Sequence, residues 1–122
     1  MKKIISLLLI LCCMVGLFSG CSKVTKISYE KVWALNYEEF NETIKSDPIY
    51  TTGENFTYTV EVATDSGTVD IVMKNEKGEV FFDKKDIPTS YVTETIECPG
   101  KFTIEATGKK HVGYVSIRWD YK

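Results

Sequence analysis

A hydrophobic period of two constrains the fold of this chain more than any other feature. Apolar side chains at every second position alternate mostly with threonine or charged residues in segments 56–62, 69–73, 102–106 and 115–121. Successive side chains of a β-strand point to opposite faces of the sheet, so this alternation is typical of strands with one face on a core and one in water. Less regular apolar stretches, which could hold further strands, lie at 31–44, 80–83 and 91–98.

Residues that favour turns separate the alternating segments. Glycine, asparagine, aspartate and proline occur at 65–67, 75–78, 99–100 and 108–113, and we expect loops there. Short loops and the lack of a helical period after residue 28 predict antiparallel neighbours. We therefore predict an all-β fold, an antiparallel β-sandwich of about seven to eight strands. A small closed β-barrel is the alternative.

The N-terminal 20 residues differ from the rest of the chain. Lys2 and Lys3 precede an apolar run at 4–18, and the small residues Ser19 and Gly20 follow it. A basic start, a short apolar stretch and small residues are typical of a cleaved secretory signal. The run is shorter than the roughly twenty residues of a membrane-spanning helix. We predict a helical signal peptide over residues 1–20.

The residues around the predicted cleavage site, Leu17-Phe18-Ser19-Gly20-Cys21, resemble the lipobox of bacterial lipoproteins. In that family the cysteine receives a diacylglycerol thioether and becomes the new N-terminus. The resemblance implies that Cys21 is lipidated and holds the protein on the extracytoplasmic face of the bacterial cell membrane. Two acyl chains suffice for stable anchoring. Residues 21–28 would be the lipidated cysteine and a short tether, and residues 29–122 the β-sandwich domain.

The charge of the mature chain excludes one class of partner. Without Lys2 and Lys3, 13 basic residues face 17 acidic ones, a formal net charge of −4. Proteins that bind nucleic acid need a concentrated basic surface, so we expect no nucleic-acid partner.

The cysteines give the domain no disulfide. Cys12 and Cys13 would leave with the signal peptide, and lipidation would consume the thiol of Cys21. Cys98 then remains as the one free thiol. Since Ile96 lies on the same side of its predicted strand, we expect Cys98 to be buried and unreactive.

Four motifs occur in order along the second half of the chain: Gly67-Thr68-Val69-Asp70-Ile71, Asn75-Glu76-Lys77-Gly78, Pro99-Gly100-Lys101-Phe102-Thr103-Ile104 and Gly113-Tyr114-Val115-Ser116-Ile117-Arg118-Trp119. Through them, residues from about 33 to 119 resemble a loose group of small lipoproteins from Gram-positive bacteria. The order of strands is also similar to jelly-roll-like accessory domains found beside secreted peptidases. These motifs are strands and turns, so the resemblance implies a β-sandwich and carries over no catalytic residue.

Few residues suggest chemistry, and we predict no catalytic residue, no metal site and no cofactor. His111 is the only histidine, and with Lys109 and Lys110 it falls in a predicted hairpin loop. This loop is either a solvated turn or a small basic contact for an anionic partner. The acids lack the dense spacing of a calcium loop. A glycosidase pair among Glu38, Glu39 and Glu42 would depend on their separation in space.

Aromatic side chains are the remaining signal. Trp33, Tyr58 and Trp119 are in phase with apolar neighbours and are expected in the core, whereas Tyr50 and Tyr114 are expected to be exposed. Exposed tyrosines stack on sugar rings or anchor protein partners.

These observations predict a non-catalytic binding or accessory module. Its partners would be the membrane, through the diacylglycerol on Cys21, and an envelope protein or polysaccharide. The alternatives are a cell-surface carbohydrate-binding module, a hydrolase that uses carboxylates, and a structural protein without a ligand. A cluster of aromatic residues on one sheet would favour sugar binding, and a cleft with paired acids would favour hydrolysis. A flat apolar patch would favour a protein partner.

Overall fold

The computed structural model describes residues 24–122, which form eight β-strands and no helix. The signal peptide and Cys21 therefore lie outside the described residues. Within 24–122 there is accordingly no helix with the length and apolar character to cross a membrane. The strands are β1 (Val24–Tyr29), β2 (Val32–Tyr37), β3 (Thr43–Lys45), β4 (Ile49–Tyr50), β5 (Asn55–Asn75), β6 (Val80–Lys84), β7 (Ser90–Glu97) and β8 (Lys101–Tyr121).

Two long strands connect the two layers of the sandwich. β5 and β8, of 21 residues each, pair antiparallel along almost their whole length. Both strands bend near their middle. Residues 55–63 and 113–121 belong to layer 1, whose strand order is β7-β5-β8-β2-β1. Residues 68–75 and 101–109 belong to layer 2, where β6 pairs with β5 and the short strands β3 and β4 pair with β8.

Aromatic side chains pack the two layers against each other. Phe56 of layer 1 lies 5.1 Å from Phe102 of layer 2, measured between ring centroids, and Trp119 meets Phe102 edge-on at 5.3 Å. Such edge-to-face contacts stabilise a core beyond the area that they bury. Trp33 and Tyr58 are 1% and 0% exposed. The predicted antiparallel β-sandwich and the predicted core positions of Trp33, Tyr58 and Trp119 are confirmed.

Two of the predicted loops are wrong, because residues 65–67 and 108–113 continue β5 and β8 through the bend. A β-bulge between Thr64 and Thr68 inserts unpaired residues, and bulges bend a strand sharply. Gly67 and Gly113 have φ angles of +74° and +147°, and a Cβ on either would overlap the backbone of the opposite strand. The glycines therefore permit a bend here rather than a chain reversal. The turns at 75–78 and 99–100 are confirmed.

The domain begins earlier than the sequence suggested. Residues 24–28, predicted as part of a tether, form most of β1, which pairs with β2 from Val24 opposite Tyr37 to Tyr29 opposite Val32. The alternation of apolar and polar residues is hard to see in this strand, because Lys26 takes an inward position opposite Leu35. The Lys26 ammonium donates to the Lys45 carbonyl of layer 2 at 3.3 Å. Only residues 22 and 23 separate this strand from Cys21.

Candidate functional site

The outward surfaces of the two layers differ in chemistry. Outward positions of layer 2 carry many charges, on Lys45, Asp70, Lys74, Lys101 and Glu105. Layer 1 instead presents mostly tyrosine, threonine, serine and half-buried small apolar side chains. Its charges are the central Glu61–Arg118 pair, the Lys31–Asp120 pair and Glu97. We call this surface the tyrosine face and define it by Tyr29, Glu61, Tyr91, Tyr114 and Arg118. Tyrosine and arginine are enriched and lysine is depleted at protein–protein interfaces. The difference between the layers therefore favours layer 1 as the binding surface.

Three tyrosines on this face are open to solvent. Tyr29 of β1 is 74% exposed, Tyr91 of β7 is 64% exposed and Tyr114 of β8 is 43% exposed. They span all five strands of layer 1, a width of about 19 Å at about 4.8 Å per strand. Half-buried Val32 and Ala34 lie between β1 and β8 on the same side.

Glu61 and Arg118 hold two of these tyrosines in place. Glu61 accepts hydrogen bonds from the Arg118 guanidinium at 3.1 Å and from the Tyr114 hydroxyl at 2.6 Å. Arg118 also donates to the Tyr91 hydroxyl at 3.3 Å, with its guanidinium carbon 5.8 Å from the centre of that ring. Surface ion pairs add little stability, so we assign this pair the role of fixing the two rings.

The ionisation of this network follows from its hydrogen bonds. The bonds from Tyr114 and Arg118 lower the pKa of Glu61, because both favour the charged carboxylate. The same carboxylate raises the pKa of Tyr114. At neutral pH the face therefore holds an ionised Glu61, a protonated Tyr114 and a cationic Arg118, whose charges cancel.

Threonine hydroxyls flank the network on β5 and β7. Thr57 bonds to Thr95 at 2.8 Å and Thr59 bonds to Thr93 at 2.9 Å, each pair directly opposite in the ladder. Fixed rings beside rows of hydroxyls suit a ligand that has both apolar and hydroxyl-bearing faces. Within residues 24–122 there is no group of three or more His, Cys, Asp or Glu side chains arranged to hold a metal ion.

The predicted surface residues do not come together in one site. Tyr114 is exposed, as predicted, and belongs to the tyrosine face. Tyr50 is also exposed, at 70%, but it lies in β4 opposite Lys101 in layer 2. Lys109 and Lys110 are exposed at the bend of β8, where the Lys110 amide donates to Asn41 Oδ1 at 3.2 Å.

The prediction that His111 lies on the surface is wrong. Its side chain is fully buried, because residues 108–113 continue β8 and turn the ring into the corner of the bend. The Thr64 hydroxyl donates to the Ile87 carbonyl, so its oxygen accepts from His111 Nε2–H at 2.8 Å. His111 Nδ1 then accepts from the Tyr37 hydroxyl at 2.7 Å. Burial lowers the pKa of His111 and raises that of Tyr37, which fits a neutral imidazole.

Cys98 is only partly buried, in contrast to the predicted full burial. It packs against the edge of the core, and its thiol donates to the Thr51 hydroxyl at 3.1 Å. Ile96 faces the same side as Cys98, so the strand register is as expected. The end of β7 leaves Cys98 beside an open cavity, which explains its partial exposure.

Sequence reasoning missed Glu61, Tyr91 and Arg118 as functional residues. Tyr91 is out of phase with Val92, the same signal that predicted the exposure of Tyr114. Glu61 and Arg118 are ordinary polar positions of alternating strands. Only the order β7-β5-β8 brings the three together.

No protein-family model and no curated relative matches the chain. The chain is similar to several solved structures, of which two are described here. One is a carbohydrate-binding module from Cellvibrio mixtus lichenase 5A in complex with cellotriose, with a TM-score of 0.48, 11% identity and coverage of 83% of this chain and 87% of that chain. The other is a cupin domain from Bordetella pertussis, with a TM-score of 0.40, 14% identity and coverage of 86% and 99%. At TM-scores below 0.5, neither likeness transfers a ligand or an activity.

Proposed function

We propose that this protein is a non-catalytic binding module that contacts a polysaccharide through the tyrosine face. The carrying observation is that Tyr91 and Tyr114 are exposed while Arg118 and Glu61 fix their hydroxyl groups on one side of layer 1. A cluster of exposed aromatic residues on one sheet favours sugar binding, whereas a cleft with paired acids would favour hydrolysis.

A neutral, extended ligand fits the chemistry of this face best. The charges of Glu61 and Arg118 cancel, so the face offers no net attraction to an anionic polymer. Small molecules bind mostly in concave pockets, whereas this face is a broad sheet surface whose exposed rings lie on separate strands. A chain of sugar units can contact several rings and the threonine hydroxyls at once.

The location forms part of the same proposal. With lipid on Cys21, the protein is held on the extracytoplasmic face of the bacterial membrane. β1 begins at Val24, three residues further along the chain, and three residues span at most about 10 Å. The domain would therefore meet only polymers close to the membrane surface.

Variants of single tyrosines test the binding face. Both layers are built from residues 24–122, so a lipid-free chain of residues 22–122 keeps the whole fold. Its mobility in native gels that contain soluble envelope polysaccharides measures binding. Loss of one stacked ring costs about 1 kcal/mol, so Tyr91→Ala and Tyr114→Ala should each weaken binding about fivefold.

Tyr50→Ala is the matched control, since Tyr50 is at least as exposed as Tyr91 and Tyr114 but lies on layer 2. It should bind as the wild type does. Unchanged binding by Tyr91→Ala and Tyr114→Ala, with folding verified by circular dichroism, would contradict the proposal. Loss of binding in Tyr50→Ala alone would show that the binding site lies on layer 2 instead.

A further inference from the structure

β7 is the least protected edge strand of the sandwich. β3 and β4 have only three and two residues, with Pro48 between them, and β6 pairs with β5 through a bulge. At the β1 edge, Lys26 reaches across to layer 2. β7 has eight residues without proline, lysine or a bulge. Natural proteins protect sheet edges with such devices and with inward-pointing charges. The one such device on β7 is Glu94, opposite the buried Tyr58, so this long edge is a ready site for a strand that supplies a positive charge there.

The free backbone groups of β7 can be assigned residue by residue. The Cys98 amide donates to the Glu54 carbonyl at 2.8 Å, and bonded pairs alternate along an antiparallel ladder. Even-numbered residues of β7 therefore bond to β5, which leaves the amides and carbonyls of four residues directed away from the sheet. These four residues extend over about 20 Å. They are Tyr91, Thr93, Thr95 and Glu97.

The inward side chains of β7 define what an added strand would meet. Val92 lines a groove of about 210 Å³ that is floored by Val60 and Phe82. Ile96 lines an open cavity of about 610 Å³ at the other end of the strand. Glu94 lies between these two positions. One of its carboxylate oxygens accepts from the buried Tyr58 hydroxyl, and it has no ion-pair partner among residues 24–122.

We propose that β7 binds an extended polypeptide segment as an added strand, with an apolar, a basic and an apolar residue at alternate positions. The basic residue would face Glu94, and the apolar residues would face Val92 and Ile96. Opposite charges on directly facing residues stabilise strand pairs. An inward charge also rejects partners that lack its complement, which gives selectivity. Lys84 and Lys85 line the groove beside Val92 and disfavour a second basic residue there.

The β7 strand of a second copy fits the edge less well. Two antiparallel β7 strands with their inner faces on the same side would place Glu94 opposite Glu94, Val92 or Ile96. None of these registers supplies a base. The site uses different groups from the tyrosine face, because the added strand bonds to backbone groups of β7 and not to the exposed rings.

A short synthetic peptide tests the proposal, with the lipid-free chain of residues 22–122. The probe is acetyl-Thr-Leu-Thr-Lys-Thr-Leu-Thr-amide, and its binding is measured by calorimetry and by amide NMR. Binding should shift the resonances of residues 91–97 and slow hydrogen exchange at the four outward amides. The same peptide with glutamate in place of lysine should bind at least about tenfold more weakly, since it sets like charges opposite each other.

The backbone role is tested by a matched pair of variants. The Thr93 amide points off the edge, so Thr93→Pro removes no bond between β5 and β7 but takes one donor from the partner. Thr93→Val loses the same hydroxyl and keeps the amide. Thr93→Pro should weaken peptide binding about tenfold relative to Thr93→Val.

Three results would overturn the proposal: no binding at millimolar peptide, equal affinity of the lysine and glutamate peptides, or equal affinity of Thr93→Pro and Thr93→Val. A dimer of the wild type that Thr93→Pro dissociates would assign the edge to a second copy instead.

Discussion

The buried histidine at the bend should make the stability of the domain depend on pH above the range in which carboxyl groups titrate. His111 is fully buried, and its ring is hydrogen-bonded by Tyr37 and Thr64 as a neutral imidazole. Burial lowers its pKa in the folded state from the ordinary value of 6.5. As pH falls through 6.5, His111 binds a proton in the unfolded chain but stays neutral in the folded chain. The free energy of unfolding therefore decreases.

The size of this effect follows from linkage. The free energy of unfolding should fall between pH 7 and pH 5.5 by at most about 1.3 kcal/mol, the limit reached when the folded protein takes up no proton on His111 in this interval. Most carboxyl groups titrate below this interval. His111 is the only histidine of the chain, so no other imidazole contributes to the change.

Urea unfolding of the chain 22–122, followed by tryptophan fluorescence at several pH values, measures this decrease. The control is His111→Gln, whose amide can still donate to Thr64 but carries no charge. Its stability should be lower at pH 7 and nearly flat down to pH 5.5. NMR titration of the His111 ring in the wild type gives the folded-state pKa directly. The reasoning is refuted if wild-type stability is constant over this interval, or if the variant shows the same slope.

Two further predictions concern the core and the anchor. Trp119→Ala should lower the free energy of unfolding by about 3–5 kcal/mol in a urea titration, because Trp119 is buried against Phe102; a loss below 1 kcal/mol would place it outside the core. Cys21→Ser in the full chain should release the protein into the medium or leave it unprocessed, as cell fractionation would show. A correctly cleaved variant that still sediments with membranes would contradict lipid anchoring.

The sequence predicted which residues form the core better than it predicted the path of the chain. The burial of Val60, Ile71 and Ile117 follows from period two, which is a local property of each strand. The bend at 65–67 is not local, because Asp-Ser-Gly suits a hairpin turn and a bulged bend equally well. What decides between them is the pairing of β5 with β8, whose residues are far apart in sequence. The burial of His111 depends on the same pairing, so it could not be predicted either.

In the candidate site too, the exposure of side chains could be predicted, but their contacts could not. The exposure of Tyr114 could be predicted from its phase relative to Val115, and the phase of Tyr91 relative to Val92 carries the same signal. The contacts of both tyrosines with Arg118 and Glu61 depend on three strands from separate parts of the chain. Period two thus indicates which side chains face water, but not which of them are neighbours.

The strand order relates the proposed anchor to the two proposed binding surfaces. β1, which follows Cys21 closely, and β7 are the two edges of layer 1, four strand spacings or about 19 Å apart. A lipid attached before β1 therefore leaves the β7 edge open, and the tyrosine face lies between the two. An added strand on β7 would extend layer 1 on the side of Tyr91, one of the rings of the proposed polysaccharide surface. A partner segment on β7 should therefore change the affinity of the tyrosine face, whereas modification of Cys21 should not.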